Sequence, residues 1–127
     1  MFSHIMVGSN DTQASRTFYD ATLGVLGAGA GRVDPSGRVV YMHDGSLFMV
    51  TRPIDGERAC HANGGTIGFA APSPEAADAW YAAGIANGGT ACENPPGVCD
   101  GSFGRLYLAY LRDPAGNKLC ALHRMPA

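Results

Sequence analysis

The side chains in this sequence best suited to chemistry are four histidines, four cysteines, several tyrosines and a few arginines at strand ends. Cys60, Cys92, Cys99 and Cys120 include no C-x-x-C pair, so the spacing of a zinc ribbon or a thioredoxin-type centre is absent. Cys92 and Cys99 bracket Pro95-Pro96 and could close a disulfide or hold a metal, but their spacing fits no standard site. His4 and Cys120 form the sharper pair, because an imidazole beside a thiol favours the nucleophilic thiolate. The alternative for Cys120 is a small buried hydrophobe, the usual state of a free cysteine. His4, Met49 and Cys120 together would make a soft ligand set, suited to copper or zinc. Thr66 offers a hydroxyl to a ligand carbonyl, or is an ordinary β-branched strand residue. Arg52 follows a strand directly and could meet a carboxylate or phosphate, where the alternative is a solvated edge charge. His43, His61 and His123 have no obvious partner, and His61 has only Cys60 beside it.

Short elements must position these groups. Residues 2–8 read as a strand carrying His4. Asn10-Asp11 then offers a helix cap, and Ala14, Phe18, Ala21 and Val25 recur at helical spacing. A glycine-rich segment reaches Gly37. Residues 38–42 and 46–51 form strands around the turn signal His43-Asp44-Gly45. After a connecting loop, residues 66–70 read as a strand, and Ser73-Pro74-Glu75 opens a second helix with a cap, a proline and an acid in the first turn. That helix runs to about Asn87. Residues 90–103 read as irregular. Strands over 105–112 and 117–123 flank Asp113-Pro114-Ala115-Gly116.

Composition narrows the function classes. The 127 residues are 46% hydrophobic and only 16% charged, against about 25% charged in typical soluble proteins. A covered surface or an apolar cleft would account for the shortfall. The net charge of −2 and the lack of any Lys/Arg cluster exclude the footprint of a general nucleic-acid binder, and favour, weakly, a cationic ligand. No apolar run approaches the roughly 20 residues that span a bilayer. The opening Met1-Phe2-Ser3-His4 has no basic leader, so a cytoplasmic protein with reduced thiols is expected.

The two halves of the chain match. A shift of 62 pairs Ile5 with Ile67, Asp11 with Ser73, Phe18 with Trp80 and Tyr19 with Tyr81. A shift of 69 pairs Tyr41 with Tyr110 and Asp44 with Asp113, and a shift of 71 pairs Gly45 with Gly116 and Met49 with Cys120. The repeat predicts an α+β fold of two tandem βαβββ modules, with curled mixed sheets forming a cleft and the helices outside. Module 1 spans about 1–53, a linker 54–63, and module 2 about 64–127, together one domain. As repeat mates, Tyr41 and Tyr110 should occupy equivalent faces.

These residues resemble the vicinal oxygen chelate superfamily, which includes glyoxalase I, extradiol dioxygenases and bleomycin-resistance proteins. The resemblance rests on the tandem modules, on Asp11-x-x-x-Ser15-x-x-Phe18-Tyr19-x-x-x-Leu23-Gly24, and on Tyr110-x-x-Asp113-Pro114-x-Gly116-Asn117. In metal-dependent members each module gives two ligands, usually a histidine on the first strand and a glutamate on the last, and the metal acts as a Lewis acid. The resemblance places His4, Met49, Thr66 and Cys120 at those positions, and only His4 is a usual ligand. It therefore implies a protein binding a small molecule in the sheet cleft, with His4, Met49, Thr66, Tyr110, Cys120 and Arg52 as ligand contacts, His4 and Cys120 as catalytic candidates, and no tightly bound metal. The alternative is a lyase or dioxygenase similar to glyoxalase I, with Zn, Ni, Mn or Fe held by non-standard ligands. The resemblance also implies a homodimer.

Overall fold

Both helices start where a short polar side chain caps them. Asp11 accepts a hydrogen bond from the Ala14 backbone N–H at 3.1 Å, and Ser73 does the same for Ala76 at 3.1 Å. In the computed structural model, which describes residues 1–126, these caps open α1 (Thr12–Val25) and α2 (Pro74–Ala86). The first module adds β1 (Ile5–Gly8), β2 (Arg32–Val33), β3 (Val39–His43) and β4 (Ser46–Thr51), in the sheet order β1-β4-β3-β2. The second adds β5 (Ile67–Ala70), β6 (Thr90–Ala91), β7 (Gly97–Gly101), β8 (Gly104–Arg112) and β9 (Lys118–Arg124), in the order β5-β9-β8-β6 with β7 also pairing β8. This is the α+β arrangement of two modules that the repeat predicts, and the second module carries one strand more than βαβββ because β6 and β7 both pair with β8.

The pairing reproduces the duplication. β1 lies parallel to β4 with Ile5 opposite Phe48, and β5 lies parallel to β9 with Ile67 opposite Leu119. The shifts of 62 and 71 carry one register onto the other. The hairpins differ. Asp44 and Gly45, both at positive φ, make a two-residue turn, whereas Pro114, Ala115 and Gly116 make a three-residue turn between Asp113 and Asn117. The extra residue changes the alignment ahead of the turn. Tyr41 faces Phe48 and its counterpart is Leu111, which faces Leu119, so the shift there is 70 rather than 69. Since a one-residue slip reverses the face, Tyr41 and Tyr110 point to opposite sides of their sheets and are not structural mates.

Two further expectations change. The first strand begins at Ile5, which leaves His4 just before it. Residues 90–103 are not irregular throughout: β6 and β7 both run antiparallel to β8. Their glycines and Asp100 have weak strand propensity, and backbone pairing with β8 holds the segments in place.

The two helices pack against each other as well as on their sheets. A Cβ on Gly84 of α2 would lie 2.2 Å from Leu111 Cδ1 and 3.2 Å from Phe18 Cε2, so this close approach requires glycine. Tyr19, Phe48 and Phe69 stack across the module boundary, with ring centroids 4.8 and 5.3 Å apart. The Asp-Pro-x-Gly-Asn turn fastens the same boundary. Buried Asp113 accepts from the Tyr19 hydroxyl at 2.6 Å and from Asn117 Nδ2 at 2.9 Å, and Asn117 Nδ2 also reaches the Gly8 carbonyl at 3.1 Å.

Candidate functional site

Strand alternation decides which side chains can meet a ligand. On β8 and β9, Ala109, Leu111, Leu119 and Ala121 face the helices and are fully buried. Leu106, Leu108, Tyr110, Cys120 and Leu122 take the opposite face and line a cavity of ≈ 410 Å³. Thr66, Gly68 and the Cys99–Phe103 end of the β7–β8 hairpin complete its walls, and no residue of the first module contributes. The walls are predominantly hydrocarbon, with polar groups from Thr66, Ser102 and Tyr110.

The structure brings together three of the residues expected at the site: Thr66, Tyr110 and Cys120. Met49 lies on the corresponding open face of the first sheet, opposite Met6 and Val40. His4 is exposed at the edge of that sheet, its Nδ1 2.8 Å from Ser3 Oγ. Arg52 is exposed just beyond β4. None of these three lines the cavity. Leu106, Leu108 and Leu122 do, although sequence reasoning passed over them. The signal was available in their spacing of two and four residues from Tyr110 and Cys120 along the same strands.

The environment keeps the site's acidic hydrogens in place. Burial pushes the Cys120 thiol above its ordinary value, and its sulfur lies 3.6 Å from the Ala121 carbonyl. Burial also raises the Tyr110 phenol, and the adjacent Cys120 adds to this. Both groups are therefore neutral donors near neutrality. At the edge of the site Lys118 pairs with Glu93, and its ammonium lies 5.3 Å from the centre of the Tyr110 ring. A second hollow of ≈ 280 Å³ lies beside it where the modules meet. It is lined by Met6, Gly8, Cys60, His61 and Lys118, and shares Thr66 with the first.

A divalent metal of the kind the superfamily uses fits these residues poorly. The cavity walls offer the Thr66 and Ser102 hydroxyls, the Tyr110 phenol and the sulfurs of Cys99 and Cys120, with no carboxylate or imidazole. Among the described residues no three His, Cys, Asp or Glu side chains group as metal ligands. All four cysteines are free, and among the described residues no helix is long and apolar enough to cross a membrane.

Comparison with known proteins agrees with this architecture. The chain is 61% identical to a glyoxalase/bleomycin resistance protein from Albidiferax ferrireducens T118, with a TM-score of 0.95 over 98% of this chain and 99% of that one. Its fold is also that of a glyoxalase/bleomycin resistance protein/dioxygenase family enzyme from Burkholderia phytofirmans PsJN, at 18% identity, TM-score 0.73 and coverage of 97% and 98%. Lactoylglutathione lyase from Agrobacterium tumefaciens shares it at 20% identity, TM-score 0.63 and coverage of 96% and 92%. No curated protein sequence matches the chain. The model of the Glyoxalase/Bleomycin resistance protein/Dioxygenase superfamily matches residues 1–121, and the chain belongs to that superfamily.

Proposed function

We propose that this protein binds a small organic molecule on the open face of its second sheet and does so without the divalent centre of the metal-dependent members. The observation that carries this reading is the cavity wall: Leu106, Leu108, Leu122 and Phe103 supply apolar surface, while Thr66 and Tyr110 supply a few directed polar groups. Cavities of a few hundred Å³ with this balance suit small ligands. Cys120 and Tyr110, both neutral, contribute shape and hydrogen bonding. Neither is poised as a nucleophile.

The protein acts as a homodimer in this reading. The open face of the first sheet is also apolar, with Met6 38% and Met42 67% exposed beside Val40 and Leu47. Contiguous exposed apolar surface of this kind marks an interaction site. The first sheet of one copy laid over the second sheet of another would cover both faces and close two cavities. His4 and Met49 of one copy would then approach Thr66 and Cys120 of the other. That set has one hydroxyl and no carboxylate, which suits hard divalent metals poorly.

Thermal melting in the presence of EDTA and a panel of aromatic and aliphatic small molecules tests the reading. A ligand that stabilises the native protein raises its melting temperature, and Leu108→Glu should abolish that rise. Elemental analysis of protein purified without chelator is the counter-test: stoichiometric metal that is lost on His4→Ala would replace this reading with a metalloenzyme. Sedimentation should give twice the monomer mass, reduced to the monomer by Met42→Glu.

A further inference from the structure

The charges on the open face of the second sheet are one-sided. Arg112, Lys118 and Arg124 all occupy strand positions in phase with the cavity-lining residues Tyr110, Cys120 and Leu122. Among the described residues no strand position on that face carries an acid. The whole chain has a net charge of −2, so this face runs against the average.

Arg112 and Lys118 are direct cross-strand partners. Like charges in that position repel, and an ordinary sheet avoids them. One carboxylate reaches the pair, that of Glu93, which bonds Lys118 from the β6–β7 connection. Glu93 has φ +56, an uncommon conformation for a residue with a Cβ, and its side chain is 45% exposed. Arg112 instead donates to the Gly116 carbonyl at 2.7 Å, a neutral acceptor. Lys118 thus has one exposed carboxylate for a partner, and Arg112 has none among the described residues. Lys118 stands two residues along β9 from Cys120, about 7 Å away along the strand, and its ammonium lies over Tyr110.

We propose that the ligand of this cavity is an amphiphilic organic acid: an apolar body resting on Leu106, Leu108 and Leu122, and a carboxylate directed past Tyr110 to Lys118 and Arg112. The proposal rests on the reading that this face holds a small molecule, and adds its chemical class. Glu93 occupies the place of the ligand's carboxylate in the free protein and yields it on binding. A cationic ligand, which the net charge of the chain would favour, meets the wrong sign here.

The experiment is calorimetric titration of the full-length protein, in EDTA and at fixed low salt, with 4-phenylbutyrate and with its neutral amide. The two share a body and differ in the head group. The carboxylate should bind about tenfold more tightly than the amide, the effect expected of one charge-assisted hydrogen bond. Lys118→Met should reduce the carboxylate's affinity to the level of the amide. Glu93→Gln should widen the preference, because the competing carboxylate is gone, and near-UV circular dichroism confirms that each variant is folded. Equal binding of acid and amide would overturn the proposal while leaving small-molecule binding intact. Binding of neither, with none of the wider panel raising the melting temperature, would overturn both.

Discussion

Replacing Tyr19 by Phe should destabilise the protein by about 2 kcal/mol, the midpoint for a hydrogen bond to a charged group. The Tyr19 hydroxyl donates to Asp113 at 2.6 Å, and the two residues are 0% and 2% exposed. The ring would remain between Phe18 and Phe48, so no packing is lost. Asp113 would keep the Asn117 side chain and the backbone N–H groups of Ala115 and Asn117, so the carboxylate is not orphaned. That retention keeps the effect to a single bond. For a chain of this size the change corresponds to a fall in melting temperature of roughly 6–10 °C. Urea unfolding of wild type, Tyr19→Phe, Asn117→Ala and the double variant would isolate the coupling, since both side chains share Asp113. A loss below about 0.5 kcal/mol, within the range of an ordinary surface substitution, would refute the idea that this turn ties the modules together.

Gly84→Ala should lower stability by about 1–2 kcal/mol even though alanine is the better helix former, because its Cβ would overlap Leu111 in a filled core; urea unfolding measures it. Alkaline titration should unfold the protein as pH rises above 10. Burial raises the Tyr19 and Tyr41 phenols above their ordinary 10.0, with Asp113 and Asp20 respectively adding to this, so their stabilisation is complete below pH 10 and is lost as the unfolded chain ionises first. Tyr41→Phe should lose one of those two contributions and show a shallower alkaline decline by circular dichroism. With iodoacetamide at pH 8, exposed Cys60 and Cys99 should alkylate well before buried Cys120, as read by mass spectrometry of digests. Equal rates would contradict the protonated, enclosed state of that thiol.

The sequence revealed the fold well because the duplication is written in fold-defining residues. Asp11 and Ser73 cap helices, Phe18 and Trp80 pack them, and the first and last strands of each module pair in one register. The site was harder to read. One extra residue in the second hairpin moved Tyr110 out of step with Tyr41, and only the backbone register exposes that slip. β7 was hidden because its two glycines and Asp100 carry little strand propensity, and a neighbouring strand defines it. Cys120 and Thr66 were legible from the repeat. His4 and Met49, read from the corresponding positions, lie at the first sheet and outside the cavity. The Lys118–Arg112 pair was invisible as chemistry, because five residues separate two charges that face each other across a hairpin.

Along β8 and β9 the side chains alternate: Ala109, Leu111, Leu119 and Ala121 belong to the core, and Leu106, Leu108, Tyr110, Cys120 and Leu122 to the cavity. The module boundary is held elsewhere, by the helix pair, the aromatic stack and the Asp113 turn. The residues at 106, 108, 110, 120 and 122 can therefore change with little effect on whether the chain folds. Selection for a new ligand could act on this row of positions almost independently of selection for stability. A sequence library confined to them should return mostly folded proteins of altered binding preference, which makes the sheet face a natural cassette for redesign.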